Sequence, residues 1–298
     1  MNTPTQIALI GDIHRQFNQY DITQFNHSNY DLLLFTGDLA NYRHREGLTV
    51  ARQMAQLQKP ALIIPGNHDT ITALQLLAEI KQWPRLRRWL GWGQPRRLRQ
   101  WQQALGQVQV GGYSTHPVPG VEDVAVVVGR PFAMGDSVIR CEPQLKRQFG
   151  IGTIAESVAR YYQLIDQTPA QRLIFLAHNG PIGLGTSRDA IWGSDFRPEA
   201  GDSGDSDLQE AIDYGRQQGK TVLAVVAGHM HHAIKNGGQR TWHRVQDGIH
   251  YINAARVPRI FEENGRILHH HIRLTFTDQT MTISQQLCPE KLDADERR

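Results

Sequence analysis

Six short apolar runs punctuate the chain, at residues 6–10, 32–35, 61–65, 124–128, 173–177 and 222–226. Each is continuous rather than alternating, the pattern of a strand buried on both faces. Between them, apolar residues recurring at helical spacing predict helices over 46–58, 72–83, 152–166 and 208–218. Pro60 ends the first of these helices. Residues 15–30 read as a loop or short helix. The stretch 183–207, rich in Gly, Ser and Asp, reads as a long loop. Its five acids (Asp189, Asp195, Asp202, Asp205 and Asp207) read as turn formers rather than ligands. From 249 to 287 the pattern alternates and is β-branched, which predicts the strands of a second sheet.

The residues just past the ends of the apolar runs are chemically distinctive. Gly11-Asp12-Ile13-His14 adjoins the first, Gly37-Asp38 the second and Gly66-Asn67-His68-Asp69 the third. His178 leaves the fifth, and Gly228-His229-Met230-His231 the sixth. Open α/β sheets bind ligands past the C-terminal ends of their strands, where all of these residues fall. Any one alone has a bland reading: an Asp bonding its own backbone in a turn, or a His satisfied in a core. Five such coincidences at equivalent strand ends argue instead for one shared site. Carboxylate, imidazole and amide oxygen without thiolate suit Mn, Fe, Zn or Ni, and disfavour Cu(I), iron–sulfur clusters and all-oxygen Ca or Mg cages. The donors are too many for one tetrahedral ion. They suffice for two divalent ions about 3.5–4 Å apart if one carboxylate bridges them.

These motifs, in this order, resemble the calcineurin-like metallophosphoesterase superfamily, whose signature runs DxH, GDxx(N/D), GNH(D/E), a lone His and GHxH. The chain supplies Asp12-Ile13-His14, Gly37-Asp38-Leu39-Ala40-Asn41, Gly66-Asn67-His68-Asp69, His178 and Gly228-His229-Met230-His231. The residues after His178 look like an uncharacterised cyanobacterial and plastid branch. The resemblance implies an α/β fold, a four-layer α-β-β-α sandwich of two mixed sheets with the metal site at the C-terminal strand ends. It also implies roles. Asp12, His14 and His231 would hold one metal, Asn67, His178 and His229 the other, and Asp38 would bridge. His68 would donate the proton, with Asp69 or Asn41 orienting it. The chain departs from the phosphoprotein phosphatases of the superfamily at Asn41-Tyr42, where they carry Asp-Arg-Gly, so a Ser/Thr phosphatase is disfavoured. Arg43, Arg130 and Arg256 stand as substitutes for the missing Arg. Arg130 is carried, with Asn41, as the substrate-binding candidate.

Two divalent ions set against Asp12 and Asp38 leave the site about +2, which selects a phosphate ester. A hydroxide bridging the ions would attack phosphorus in line, with His68 protonating the leaving alkoxide. The expected activity is a di-metal phosphoesterase, metals most readily Mn or Fe, with a diester or nucleotide-like substrate slightly favoured. The alternatives are a non-catalytic scaffold on the same fold, or a nucleic-acid-binding protein with incidental metal.

Composition adds little to this. With 298 residues, 40% hydrophobic, 20% charged and a net charge of +3, the chain is an ordinary soluble globular sequence. Two Cys exclude a disulfide framework. No basic n-region opens the chain, and no apolar run approaches the ~18 residues of a membrane span, so a cytoplasmic protein is expected. Residues 1–288 read as one metallophosphoesterase domain and 289–298 as a charged, disordered tail. One segment stands apart, a basic insertion at about 80–121. It lacks Asp and Glu and carries Lys81, Arg85, Arg87, Arg88, Arg96, Arg97 and Arg99 among Trp83, Trp89, Trp92 and Trp101. It reads as a helical hairpin with its Trp residues packed inward, or as a surface over 81–101 for an anionic partner: nucleic acid, polyphosphate or a membrane surface.

Overall fold

The computed structural model describes residues 4–290 apart from 136, 196–200 and 278–279. The expected tail falls almost wholly outside the described residues. The first half runs β1 (Thr5–Ile10), α1 (Gln19–Asn26), β2 (Leu32–Phe35), α2 (His44–Met54), β3 (Ala61–Ile63), α3 (Ala73–Ile80), α4 (Pro84–Gly91), α5 (Gln94–Ala104) and β4 (Gln109–Val110). It continues with β5 (Ser114–Val118), β6 (Val121–Val128), α6 (Glu142–Phe149), α7 (Ile154–Gln167), β7 (Arg172–Leu176), α8 (Ser206–Gln217) and β8 (Thr221–Ala227). The C-terminal strands are β9 (His243–Gln246), β10 (Ile249–Asn253), β11 (Ile260–Glu263), β12 (Arg266–Phe276) and β13 (Met281–Pro289).

The strands form two mixed sheets. One runs β11-β12-β1-β2-β3-β4, with β13 also paired to β12; the other runs β5-β6-β7-β8-β10-β9. Within them β1 to β4 are mutually parallel, as are β6, β7, β8 and β10. The continuous apolar runs are explained by side-chain alternation between two buried faces. In β1, Ile7 and Leu9 join a core shared by both sheets, together with Leu32, Leu34, Val124, Val126, Ile174 and Val226. Ala8 and Ile10 point the other way, with Leu33, Phe35, Val127 and Phe175, into cores capped by helices. The four layers, α-β-β-α, result directly.

Helix ends are specified locally. Asn18 opens α1 and Thr153 opens α7 with reciprocal capping boxes, to Asp21 and Glu156. Thr72 caps α3.

Three expectations change. The segment 249–287 does not make a sheet of its own. Its β10 extends the second sheet beside β8, while β12 closes onto β1 in the first. Alternation shows that a strand has one polar face but not which neighbour it pairs with. The basic segment is helical only through α5, and then supplies the short strands β4 and β5, one to each sheet. Finally, only Trp101 of its four Trp residues is buried; Trp83, Trp89 and Trp92 are exposed. Among the described residues no helix is long and apolar enough to cross a membrane.

Candidate metal centre

Because β1, β2 and β3 are parallel, as are β7 and β8, their C-terminal loops gather along one edge of the sandwich. Backbone bonds stitch these loops together. His14 N–H donates to the Asp38 carbonyl (2.8 Å), and Gly228 N–H to that of His178 (2.8 Å). Asp12, His14, Asp38 and His229 all hold positive φ, of 28°, 42°, 54° and 66°. Left-handed backbone is uncommon outside Gly, and such strain concentrates at functional sites. Two glycines are required by close approach. A Cβ on Gly66 or on Gly228 would lie 2.2 Å from a carboxylate oxygen, that of Asp38 and of Asp12 respectively.

The donor atoms converge on Asp38, which is 2% exposed. Its Oδ2 lies 3.6 Å from His178 Nε2 and 3.9 Å from both His14 Nε2 and His68 Nε2. On one side, His231 Nε2 is 3.3 Å from Asp12 Oδ2 and 3.0 Å from His14 Nε2. On the other, Asn67 Oδ1 is 2.7 Å from His178 Nε2 and 2.9 Å from His229 Nδ1. The side-chain atoms of Asp12, His14 and His231 lie close enough together to hold one metal ion, as do those of His14, Asp38 and His68.

The chemistry of the donor set fits a cation. His178 Nδ1 lies 2.6 Å from the Thr36 carbonyl, which can only accept, so that nitrogen carries the proton. The Nε2 of His178 is left facing Asn67 Oδ1 at 2.7 Å, so that a cation could take both atoms as donors. Such an outer hydrogen bond is also how proteins orient ligating imidazoles.

Electrostatics point the same way. Burial, then the charges of Asp12 and Asp69, push the Asp38 carboxyl well up. Burial also acts to raise Asp12, but the His231 hydrogen bond and three neighbouring imidazoles outweigh it and hold the carboxyl low. Burial and adjacent imidazoles push His68 down to about 2 and His229 to about 3. His231 is raised: burial opposes this, but the Asp12 carboxylate prevails. A site with one carboxyl held high and several imidazoles held neutral is short of positive charge.

Asp69 has a different job from the one expected. Its buried carboxylate accepts from the backbone N–H groups of Asp38 (2.8 Å), Leu39 (2.9 Å) and Gly66 (2.9 Å). It ties the second and third loops together and does not orient His68. Tyr42 contacts His68 instead. Its hydroxyl hydrogen-bonds Nε2, and the two rings overlap with centroids 3.7 Å apart. Burial, then the Asp38 charge, push the Tyr42 phenol up, so it stays protonated. Asn41 is exposed and hydrogen-bonds His14, at the rim of the cluster.

Arg130 is withdrawn from the cleft. It is 2% exposed and locked to two buried carboxylates, Asp207 at 2.7 Å and Asp205 at 2.9 Å. Every oxygen in reach of its fork belongs to the protein, so the structure corrects the substrate-binding assignment. The loop acids are corrected with it. Asp202 does order turns, accepting from Gly183, Gly185 and Gly204 N–H. Asp205 and Asp207 hold Arg130, and Asp195 holds Arg240 at 2.7 Å.

Four supporting residues were not singled out in the sequence. Thr36 donates its hydroxyl to Asp12 Oδ1 (3.1 Å). Tyr42 meets His68. Arg240 donates to the His231 carbonyl (2.5 Å), and Asn253 to the Met230 carbonyl (2.7 Å). Thr36 and Tyr42 adjoin the second motif, a signal that was available. The other two reach the His229–His231 loop from 9 and 23 residues downstream and carry no local mark.

A cluster of buried carboxylates and imidazoles at the strand ends of an α/β sandwich is a candidate metal-binding site. The model of the calcineurin-like phosphoesterase family matches residues 5–233, and the chain belongs to that family. A solved crystal structure resembles it over 95% of this chain and 99% of its own, with a TM-score of 0.55 at 10% identity, a likeness of fold alone. None of the curated proteins compared with the chain matches it.

Proposed function

We propose that the protein is a di-metal phosphoesterase that hydrolyses a phosphate ester, with a diester or nucleotide-like compound favoured. The observation that carries this reading is the placing of Asp38 Oδ2 between two donor sets. Asp12, His14 and His231 lie on one side, and Asn67, His178 and His229 on the other. Two divalent ions held there, with Mn or Fe favoured and Zn or Ni as alternatives, would supply a nucleophile from water at neutral pH and offset charge on the phosphoryl oxygens.

The chain's own residues do the rest. His68, at the cluster's rim and 17% exposed, protonates the leaving alkoxide. Its low basicity in the protein alone rises when a phosphate anion sits beside it, because an anion favours the imidazolium. Tyr42 holds the His68 ring in place, and Asp69 fixes the two loops that carry Asp38 and His68. Asn41, exposed at the rim, would meet the ester. With Arg130 taken up by Asp205 and Asp207, Arg43 and Arg256 are the remaining arginine candidates for gripping the ester. Cys141 and Cys288 are both free, in keeping with the reducing cytoplasmic setting that this reading assumes.

The test is hydrolysis of bis-p-nitrophenyl phosphate and p-nitrophenyl phosphate by the Mn²⁺-loaded protein, beside Asp38→Asn. Turnover that favours the diester and vanishes in the variant is expected. Turnover that survives in Asp38→Asn would reject the reading.

A further inference from the structure

Helix α3 is built inside out. Its buried side carries Gln75, Ala78 and Glu79, and its exposed side Leu74, Leu77 and Ile80. The polar residues face inward onto polar and charged partners. Glu79 pairs with Arg87 at 2.8 Å, and its carbonyl accepts from Arg140. Gln75 bonds Gln94 (2.6 Å) and Arg97 (2.8 Å), and Arg97 also donates to the Thr70 carbonyl (2.5 Å). This inward polar network forces the leucines into water. An amphipathic helix with that orientation has an apolar face without a partner.

The next helix extends the surface. Among the described residues, ten large apolar side chains are exposed, and six of them fall between Leu74 and Trp92. Trp89 is 72% exposed and Trp92 83%. The charges around them are of one sign. Glu79 is the sole acid between residues 70 and 121, and it is buried, whereas Lys81, Arg85, Arg88 and Arg96 are exposed. Where α4 meets α6, a groove of about 680 Å³ is lined by Arg85, Arg87, Arg88, Lys146 and Arg147, with Glu142 the one carboxylate on its wall.

We propose that α3 and α4 form a docking surface for a bilayer rich in anionic phospholipid. Leu74, Leu77, Ile80, Trp89 and Trp92 enter the headgroup–acyl boundary, and the arginines and Lys81 pair with headgroup phosphates. Trp at the boundary, aliphatic side chains below it and cations alongside is the composition of an interfacial helix. A nucleic acid would use the cations and stack on the Trp rings, but it leaves the three aliphatic side chains in water. A second copy of the chain would bring the same cations against themselves. The surface is separate from the proposed hydrolytic site, and binding is read without turnover, so either reading can fail alone.

The experiment is co-sedimentation of the full chain with vesicles of equal parts phosphatidylcholine and phosphatidylglycerol, and with phosphatidylcholine alone. Binding to the mixed vesicles, weak or absent on the neutral ones, is expected. Trp89→Ser with Trp92→Ser should weaken it by roughly tenfold or more, and Arg85→Gln with Arg88→Gln by about fivefold per charge. Both double variants alter exposed side chains and should keep the parent's unfolding midpoint. The proposal is overturned by absence of vesicle binding at low salt, by equal binding to neutral vesicles, or by binding indifferent to the Trp changes. It is overturned too if polyphosphate or single-stranded DNA binds and vesicles do not, or if the Trp residues sustain only self-association.

Discussion

Arg130 and Asp38 each lie just past the end of a buried strand, and each is 2% exposed. Their surroundings differ in one respect. Around Arg130, opposite charges meet: the guanidinium donates to Asp205 and Asp207, and Ser157 and the Tyr161 hydroxyl complete the set. Around Asp38, like meets like. The Asp38 carboxyl is buried beside the carboxylates of Asp12 and Asp69, and the His68 and His229 imidazoles are pushed down by burial and by other imidazoles. Proteins satisfy nearly every buried polar group. The first cluster obeys this rule with charges that balance, and the second brings together the donor types that could hold a metal ion. A buried charge alone therefore does not mark a site, whereas a buried cluster with an unbalanced donor set does.

The comparison is broken most severely at Asp38. Asp38→Asn should abolish turnover without lowering the stability of the metal-free protein, because burial, then Asp12 and Asp69, already disfavour the charged form. Thermal unfolding with and without Mn²⁺ checks this. At a hundredfold excess over Kd, metal stabilises the parent by about 2.7 kcal/mol, and the variant should lose most of that gain.

Arg130→Met should do the opposite. It leaves two buried carboxylates without a counter-charge and costs about 3–5 kcal/mol in urea unfolding. The folded fraction should still bind metal.

His68→Ala sharpens the assignment within the site. It should keep its metals and lose about 10²–10⁴-fold in turnover, most for alkyl leaving groups and least for nitrophenolate. An equal loss for both leaving groups would remove the proton-donor role from His68.

Last is the pH effect at Asp205, whose carboxyl is pushed up to about 7 by burial, with Arg130 opposing and Asp207 reinforcing the rise. A carboxyl raised above its unfolded value of about 3.9 binds its proton more tightly when folded. Its stabilising contribution is complete below that value and lost as pH rises through the folded one. Metal-free protein should therefore lose stability from about pH 4 to pH 7 at this site. Asp205→Asn, with urea midpoints taken across that range, should flatten the slope.

The same contrast explains how much is legible in the sequence. Strands buried on both faces write themselves as unbroken apolar runs, so β1, β2, β3, β6, β7 and β8 stand out, and so do the site residues at five of their ends. Motif and geometry coincide there because each ligand sits within a few residues of a strand terminus. The Arg130 cluster is illegible by contrast. Its partners lie 75 and 77 residues away, where a Gly- and Asp-rich stretch runs into α8 and an Asp that caps a turn and an Asp that neutralises an arginine look alike. Tyr42 shows a middle case. It adjoins a motif, but its contact with His68 depends on how two loops meet. Helix α3 misleads in a third way: its period is correct and its orientation reversed, because Arg87 and Arg97 draw the polar face inward.

The central claim is that Asp38 is shared by two metal ions. Elemental analysis of Mn²⁺-loaded, dialysed protein tests it most directly. About two equivalents per chain are predicted for the parent, and fewer than one for Asp38→Asn. One equivalent or none in the parent, or full retention by the variant, would contradict it.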